Sequence, residues 1–232
     1  GFLEEAQKSS QYIFDYAVKG EGEKALLKVC REDRNAIEKT RQRTTVLHGE
    51  PLGNLDRIEY DYSLLNEEYD AALGSHKQEL YSKTFPMHLS RGCPFDCEFC
   101  IEKSKGPSHW RAVTPSKAAK MIRSVIKEFN PERIQFMDPC FGANTEWRKK
   151  FITFLGEEDY SSTMYWCETA INCTSMEDLK EFSSLPFEVD FGVESASAQI
   201  LLLMRKTCDP VWFINHHRKL VENCVQLSIP ST

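Results

Sequence analysis

No run of apolar residues in this chain approaches the ~20 that a membrane-spanning helix needs. The first residues, Gly1 to Ser10, lack a basic stretch followed by an apolar one. Neither a membrane span nor a secretory leader is expected. Positive charge is also short: 29 Lys and Arg stand against 35 Asp and Glu, for a net charge of -6. No global basic surface therefore invites nucleic acid. Internal repeats and low-complexity tracts are absent. The nine cysteines do not read as a disulfide framework, because the count is odd and a chain that is 41% hydrophobic can fold around a core without staples. A cytoplasmic protein with reduced thiols is expected, as one large domain plus a smaller piece.

One further absence carries chemistry. Cys93, Cys97 and Cys100 stand in the run Arg91-Gly92-Cys93-Pro94-Phe95-Asp96-Cys97-Glu98-Phe99-Cys100, and no fourth cysteine follows at short spacing. Three thiolates on one tight loop suit three irons of a 4Fe-4S cube, which normally takes four cysteine ligands. One iron stays open for another ligand. A structural zinc site would need a fourth Cys or His, and the nearest after Cys100, His109 and Cys140, lie well away from the loop. Buried core cysteines seldom cluster in a turn flanked by residues such as Gly92 and Pro94.

After this loop, short apolar runs alternate with helical patterns, the mark of parallel βα units. Strands are expected at Met87-Ser90, Arg133-Asp138, Met164-Glu168 and Val189-Glu194, with a fifth at Val225-Ile229. Between them, Ala118, Met121, Ile122, Val125, Ile126 and Phe129 recur at helical spacing before Asn130-Pro131. Further helices are expected over 145–155, 175–182, 198–204 and 210–223. Each strand ends in polar residues, where a βα barrel gathers its chemistry. A barrel that stops in its fifth strand would expose an edge, so a piece of a longer protein is expected. Upstream, Tyr12-Val18 reads as a strand and Lys24-Val29 as a helix, and the charged stretch from Arg31 to Asn54 reads as loop.

The cysteine loop strongly resembles that of the radical S-adenosylmethionine (SAM) superfamily, and other segments are similar to its subfamily with an amino-terminal cobalamin-binding domain. Val18-Lys19-Gly20-Glu21-Gly22-Glu23 resembles the last strand and turn of that domain, and Leu55-Asp56 through Leu65 the linker into the barrel. Asp138-Pro139-Cys140-Phe141-Gly142-Ala143-Asn144, Glu168-Thr169-Ala170-Ile171-Asn172 and Gly192-Val193-Glu194-Ser195 resemble the ends of the second, third and fourth strands. Ala170 stands where the subfamily often has Arg. The Asp-x-His-x-x-Gly motif for a lower cobalt ligand would lie before residue 1.

The resemblance implies an α/β fold: a partial TIM-like (β/α) barrel over 83–232, truncated near its fifth strand. A linker over 31–82 and a small α/β remnant of a cobalamin-binding-like domain over 1–30 would precede it. It implies a 4Fe-4S cluster on Cys93, Cys97 and Cys100, SAM chelating the open iron, and Phe99 packing near the adenine. Reductive cleavage of SAM to a 5'-deoxyadenosyl radical would follow. Cobalamin, held mostly outside this chain, points to methylation of an unactivated carbon or phosphorus. Other radical reactions (rearrangement, cyclisation, methylthiolation), and a cluster- or zinc-bearing binding module without turnover, are the rivals. A flavodoxin- or ferredoxin-like reductant and a small-molecule or peptide substrate would be the partners.

Remaining site candidates carry two readings each. Asp138 orients SAM or substrate, or caps the helix that starts near Asn144. Glu168 and Glu194 receive SAM's ribose hydroxyls or ammonium group, since a carboxylate in a barrel mouth needs partners. Ser195 bonds SAM or caps the next helix. Cys140 is a substrate ligand or radical partner, or one of the reduced cysteines without metal spacing. His216-His217 serves the surface or the core.

Overall fold

The computed structural model describes residues 14–31, 44–61, 83–104, 109–158 and 162–231. These fall into two compact units, Gly1–Gly53 and Asn54–Thr232. In the first, β1 (Tyr16–Lys19) pairs in parallel with β2 (Thr45–His48), and α1 (Glu23–Arg31) lies between them in sequence. β2 falls within the charged stretch read as loop. The turns after the two strands touch backbone to backbone. A Cβ on Gly20, whose φ is +104°, would meet the Gly49 carbonyl at 2.7 Å, and one on Gly49 would meet that of Glu21 at 1.8 Å. No other residue fits either position.

The second unit is built on four parallel strands in sequence order: β3 (Thr84–Met87), β6 (Arg133–Phe136), β7 (Met164–Thr169) and β8 (Phe187–Phe191). Helices α3 (Pro115–Phe129), α4 (Thr145–Leu155) and α5 (Met176–Phe182) connect them. This is the start of a βα barrel. Register puts Phe85, Ile134, Tyr165 and Phe187 in one row, and Met87, Phe136, Cys167 and Val189 in the next. All eight are buried. They meet Phe141, Phe151 and Phe182 in a continuous aromatic core, with Phe136 stacked on Phe141 at 4.6 Å. The opposite parity carries Pro86, Gln135, Trp166, Glu168, Glu188 and Asp190, half-buried or exposed. One face of the sheet is thus apolar under helices, and the other is polar.

Local signals place the helices. Pro115 opens α3, and Asn130 ends it in the left-handed conformation at φ 44°. Asn144 caps α4 through its side chain on Trp147 N–H. Ser175 and Asp178 form a capping box on α5. Beneath them Arg148 is fully buried. Its Nη1 donates to the Gly142 carbonyl at 2.7 Å, its Nη2 pairs with Asp178, and its guanidinium lies over the Phe182 ring at 5.5 Å.

Two expected strands move. The first barrel strand runs over Thr84–Met87, because Phe85 and Met87 supply its buried face. Ser90–Arg91 instead forms β4, a short antiparallel pair with β5 (Arg111–Ala112). The fifth strand is not at Val225-Ile229, since α7 (Pro210–Gln226) keeps its buried face through Leu220 and Cys224 and leaves Val225 exposed. After Ser228, at φ 55°, the chain reaches a parallel bridge between Ser231 and Val189. No helix among the described residues is long and apolar enough to cross a membrane.

Candidate functional site

The cysteine loop leaves β4 at Gly92, whose φ of 80° only glycine takes freely. It runs to the short helix α2 (Ile101–Ser104). Cys93, Cys97 and Cys100 are all free and half-buried. Cys100 N–H bonds the Cys97 carbonyl at 3.1 Å, which closes the turn that carries the second and third thiols.

Asp138 anchors the approach to this loop. It shares the parity of Ile134 and Phe136 and is 3% exposed. Its carboxylate accepts from Leu89 N–H at 3.1 Å, from Ser90 N–H and from Ser90 Oγ. Burial pushes its pKa up to about 6, against the pull of those three donors. The carboxylate thus holds the strand-to-loop backbone, and the α4 cap belongs to Asn144.

Two other segments flank the loop. On one side stands the turn after β6. Cys140, 2% exposed, lies with its Sγ 3.8 Å from that of Cys173. It also hydrogen-bonds the Cys93 thiol, which holds Cys93 down at about 7 despite burial. Hydrogen bonding to Cys140 likewise holds Cys173 down at about 6, while Cys140 itself is pushed up by the same two bonds and by burial. Trp110 Nε1 donates to the Cys140 carbonyl at 3.0 Å.

On the other side stands the segment after α6 (Ala198–Leu203). Glu98 N–H bonds the Met204 carbonyl at 2.8 Å, and Arg205 pairs with Asp96 at 3.4 Å. Lys206 Nζ lies 3.0 Å from Glu194 Oε1 and 5.8 Å from the centre of the Phe99 ring. Burial raises the Cys97 thiol, and the Lys206 charge opposes it. Gly192 makes room for this ion pair, because a Cβ there would meet Lys206 Nζ at 3.0 Å and Glu194 Oε1 at 3.1 Å. Glu194 itself takes φ 65°, a conformation that costs a non-glycine residue of order 1 kcal/mol or more and clusters at functional sites. Asn172 Nδ2 donates to the Lys206 carbonyl at 3.0 Å, and its Oδ1 is buried without a hydrogen-bond partner among the described residues.

Phe99 and Glu194 therefore come together with the loop. Glu168 is exposed on the polar face of β7, beside Asp190 on β8, whose carboxylate accepts from Trp166 Nε1 at 2.9 Å. Ser195 Oγ accepts from Ser197 N–H at 3.1 Å, and Ser197 is the residue that caps α6. His216 Nε2 bonds the Thr174 carbonyl at 2.8 Å in a structural contact. Sequence reasoning missed Lys206, Trp110 and the Cys140–Cys173 contact. A lone Lys or Trp and two cysteines 33 residues apart give no spacing signal.

The donor set suits a cluster. Among the described residues no three Cys, His, Asp or Glu side chains converge as one metal ion requires. A cube does not require it, since it spreads three thiolates over three irons. The orphaned Oδ1 of Asn172 and the exposed ring of Phe99 lie on the same flank, where polar and aromatic groups can receive a nucleoside-like ligand.

A partial parallel βα barrel with a three-thiol loop after its first strand defines the class: an α/β protein of the barrel type that carries a candidate cluster site. Residues 87–228 match the radical SAM superfamily, and the chain belongs to it. An uncharacterized methyltransferase of Pyrococcus horikoshii is 28% identical over 122 residues, covering 52% of this chain and 26% of that protein. The radical SAM methyltransferase TsrM from Kitasatospora setae, solved with tryptophan substrate and a SAM analog, matches at a TM-score of 0.57 and 12% identity, covering 65% of this chain and 30% of that one. A second structure of it, with cobalamin and a 4Fe-4S cluster, matches equally well. At this identity the likeness shows the fold. The chain spans less than a third of the length of each.

Proposed function

We propose that Cys93, Cys97 and Cys100 hold a 4Fe-4S cluster whose fourth iron takes SAM, and that the chain is part of a cobalamin-dependent radical SAM methyltransferase. The observation that carries this is the placement of the Glu194–Lys206 pair and Phe99 against the three-thiol loop. When bound, the cluster supplies the electron that cleaves SAM to a 5'-deoxyadenosyl radical. The chain's own residues bind and orient. Phe99 offers a half-exposed face for the adenine. Glu194 is held by Lys206 and has its second oxygen for a cationic or hydroxyl group of SAM. Ser195 and Glu168 extend that polar rim, and Asp138 keeps the loop's entry in place. Lys206 balances the negative charge that three thiolates bring to the loop.

Methyl transfer draws support from the likeness to the Pyrococcus horikoshii methyltransferase and to TsrM, which was solved with cobalamin bound. In this reading the expected remnant over 1–30 extends through β2, so that the first unit ends a cobalamin-binding-like domain, the residues from there to 82 link it to the barrel, and 83–232 form the barrel's first part. The substrate is a small molecule or peptide, and the electron comes from a flavodoxin- or ferredoxin-like protein.

The test is anaerobic reconstitution of this chain and of a Cys93→Ala/Cys97→Ala/Cys100→Ala variant, with electron paramagnetic resonance of the reduced samples. A reduced 4Fe-4S signal that SAM perturbs and the variant lacks is expected. A wild type that holds zinc, or a cluster indifferent to SAM, overturns the assignment. For the whole protein, S-adenosylhomocysteine formed only with cobalamin present marks methyl transfer. 5'-Deoxyadenosine alone marks another radical reaction.

A further inference from the structure

Helix α6 ends in a Schellman motif: Lys206 N–H bonds the Leu201 carbonyl at 3.0 Å, and Arg205 N–H bonds the Leu202 carbonyl at 3.1 Å. The motif needs the residue just past the cap in the left-handed conformation, and Arg205 takes φ 52° there. Glycine is the residue this position favours, because a Cβ crowds the left-handed backbone. The chain carries arginine instead, and its side chain leaves α6 for a segment 109 residues earlier.

That segment is the cysteine loop. The Arg205 guanidinium lies 3.4 Å from Asp96 and 3.7 Å from Glu98, the residues on either side of Cys97. Both of its ion pairs among the described residues fall on this loop. The backbone adds a third tie, since Glu98 N–H bonds the carbonyl of Met204, the residue before Arg205, at 2.8 Å. Without a cation between them, Asp96 and Glu98 repel each other and the thiolates of three ligand cysteines. A guanidinium has five N–H donors in a planar fork and can serve two carboxylates at once.

We propose that Arg205 is a positioning residue for the cluster: it clamps Asp96 and Glu98 together and so holds the arch around Cys97 that keeps the three thiols in one place. This rests on the assignment of Cys93, Cys97 and Cys100 as ligands. The strained residue sits at the end of α6, while the contact it secures lies on the loop. Removing the side chain should therefore act on the two in opposite directions. Exposed ion pairs are weak one by one, and two on one arch should change cluster retention by about fivefold.

The experiment uses the full chain, reconstituted anaerobically with iron and sulfide, as wild type, Arg205→Gly, Arg205→Lys, Asp96→Asn/Glu98→Gln, and Arg205→Gly in that last background. Iron per chain is measured first, then the rate of cluster loss to an iron chelator, and the urea midpoint of the metal-free chain. Glycine suits the backbone at 205, so Arg205→Gly should fold and keep or raise the urea midpoint. The same variant should lose its cluster about fivefold faster than wild type, and Arg205→Lys, which keeps the cation, should stay within about twofold. In the Asp96→Asn/Glu98→Gln background the arginine has no carboxylates to hold, and Arg205→Gly should change the rate by less than about twofold. An unchanged rate in Arg205→Gly overturns the proposal, as does an equal acceleration in both backgrounds or a Lys variant as fast as Gly. Faster loss with a lowered urea midpoint assigns the effect to the α6 cap and overturns it too. A wild-type chain that takes up no cluster is a different result: it removes the three cysteines as ligands, and the proposal with them.

Discussion

Replacing Arg148 with Met keeps the length of the side chain and removes its charge in a place where nothing can take over. Arg148 and the Asp178 side chain are 0% and 5% exposed, so the substitution leaves a carboxylate buried without its cation. Removing one partner of a buried pair costs about 3–5 kcal/mol, and the Gly142 carbonyl loses its donor as well. For a chain of this size each kcal/mol moves the melting temperature by roughly 2–4 °C. Arg148→Met should therefore lower it by roughly 6–20 °C, as read by far-ultraviolet circular dichroism with urea melts for the free energy. Adding Asp178→Leu removes the stranded charge. The double variant should recover most of the loss and retain a deficit of about 1 kcal/mol from the broken capping box. A single variant that costs less than 1 kcal/mol, or a double variant as unstable as the sum of the two single ones, would refute the reasoning.

Asp138 has a folded pKa of about 6, above the ordinary 3.8. The folded chain then binds the extra proton, so this residue's contribution is fully present below about pH 4 and is lost as pH rises through 6. Urea midpoints at pH 5 and 7 should differ by about 1 kcal/mol through this group, in favour of pH 5, and Asp138→Asn should abolish that component. Phe141→Ala opens a cavity among five aromatic neighbours and should cost about 3–5 kcal/mol in a urea melt. Lys206→Met should leave iron content unchanged and weaken SAM binding by roughly 10–100-fold in equilibrium titration, the worth of a charge-assisted contact. Unaltered SAM affinity would remove the Glu194–Lys206 pair from the site.

Much of the barrel was readable because its signals are local. The helical period from Ala118 to Phe129, stopped by Asn130-Pro131, marked the body of α3 and its last residue. The helices expected over 145–155 and 175–182 stand as α4 and α5, capped by Asn144 and Ser175. The errors arise where a tertiary partner decides. Val225 to Ile229 has strand-like composition, but α7 takes its first two residues because Leu220 and Cys224 already sit on the buried face. Thr84–Met87 takes the first-strand position because β6 pairs with it and Phe85 and Met87 fill the buried face of that pairing. At the site, three cysteines at close spacing announced themselves. Lys206 did not, since its meaning depends on Glu194 and Phe99 arriving from other elements. Asp138 was legible as a strand-end carboxylate, but its orientation toward the Leu89 and Ser90 backbone follows from strand parity and burial.

The bond from Glu98 N–H to the Met204 carbonyl ties the middle of the cysteine loop to a segment 106 residues later in the chain. Contacts of such sequence separation form late, after the loop-closure entropy between them has been overcome. During synthesis the three cysteines emerge long before the segment that braces them. A nascent chain would present these thiols on an unbraced loop until the fourth βα unit is complete. Assembly of the loop is therefore a checkpoint on the folding of the whole half-barrel, and metal delivered earlier would meet flexible thiols in place of a formed site.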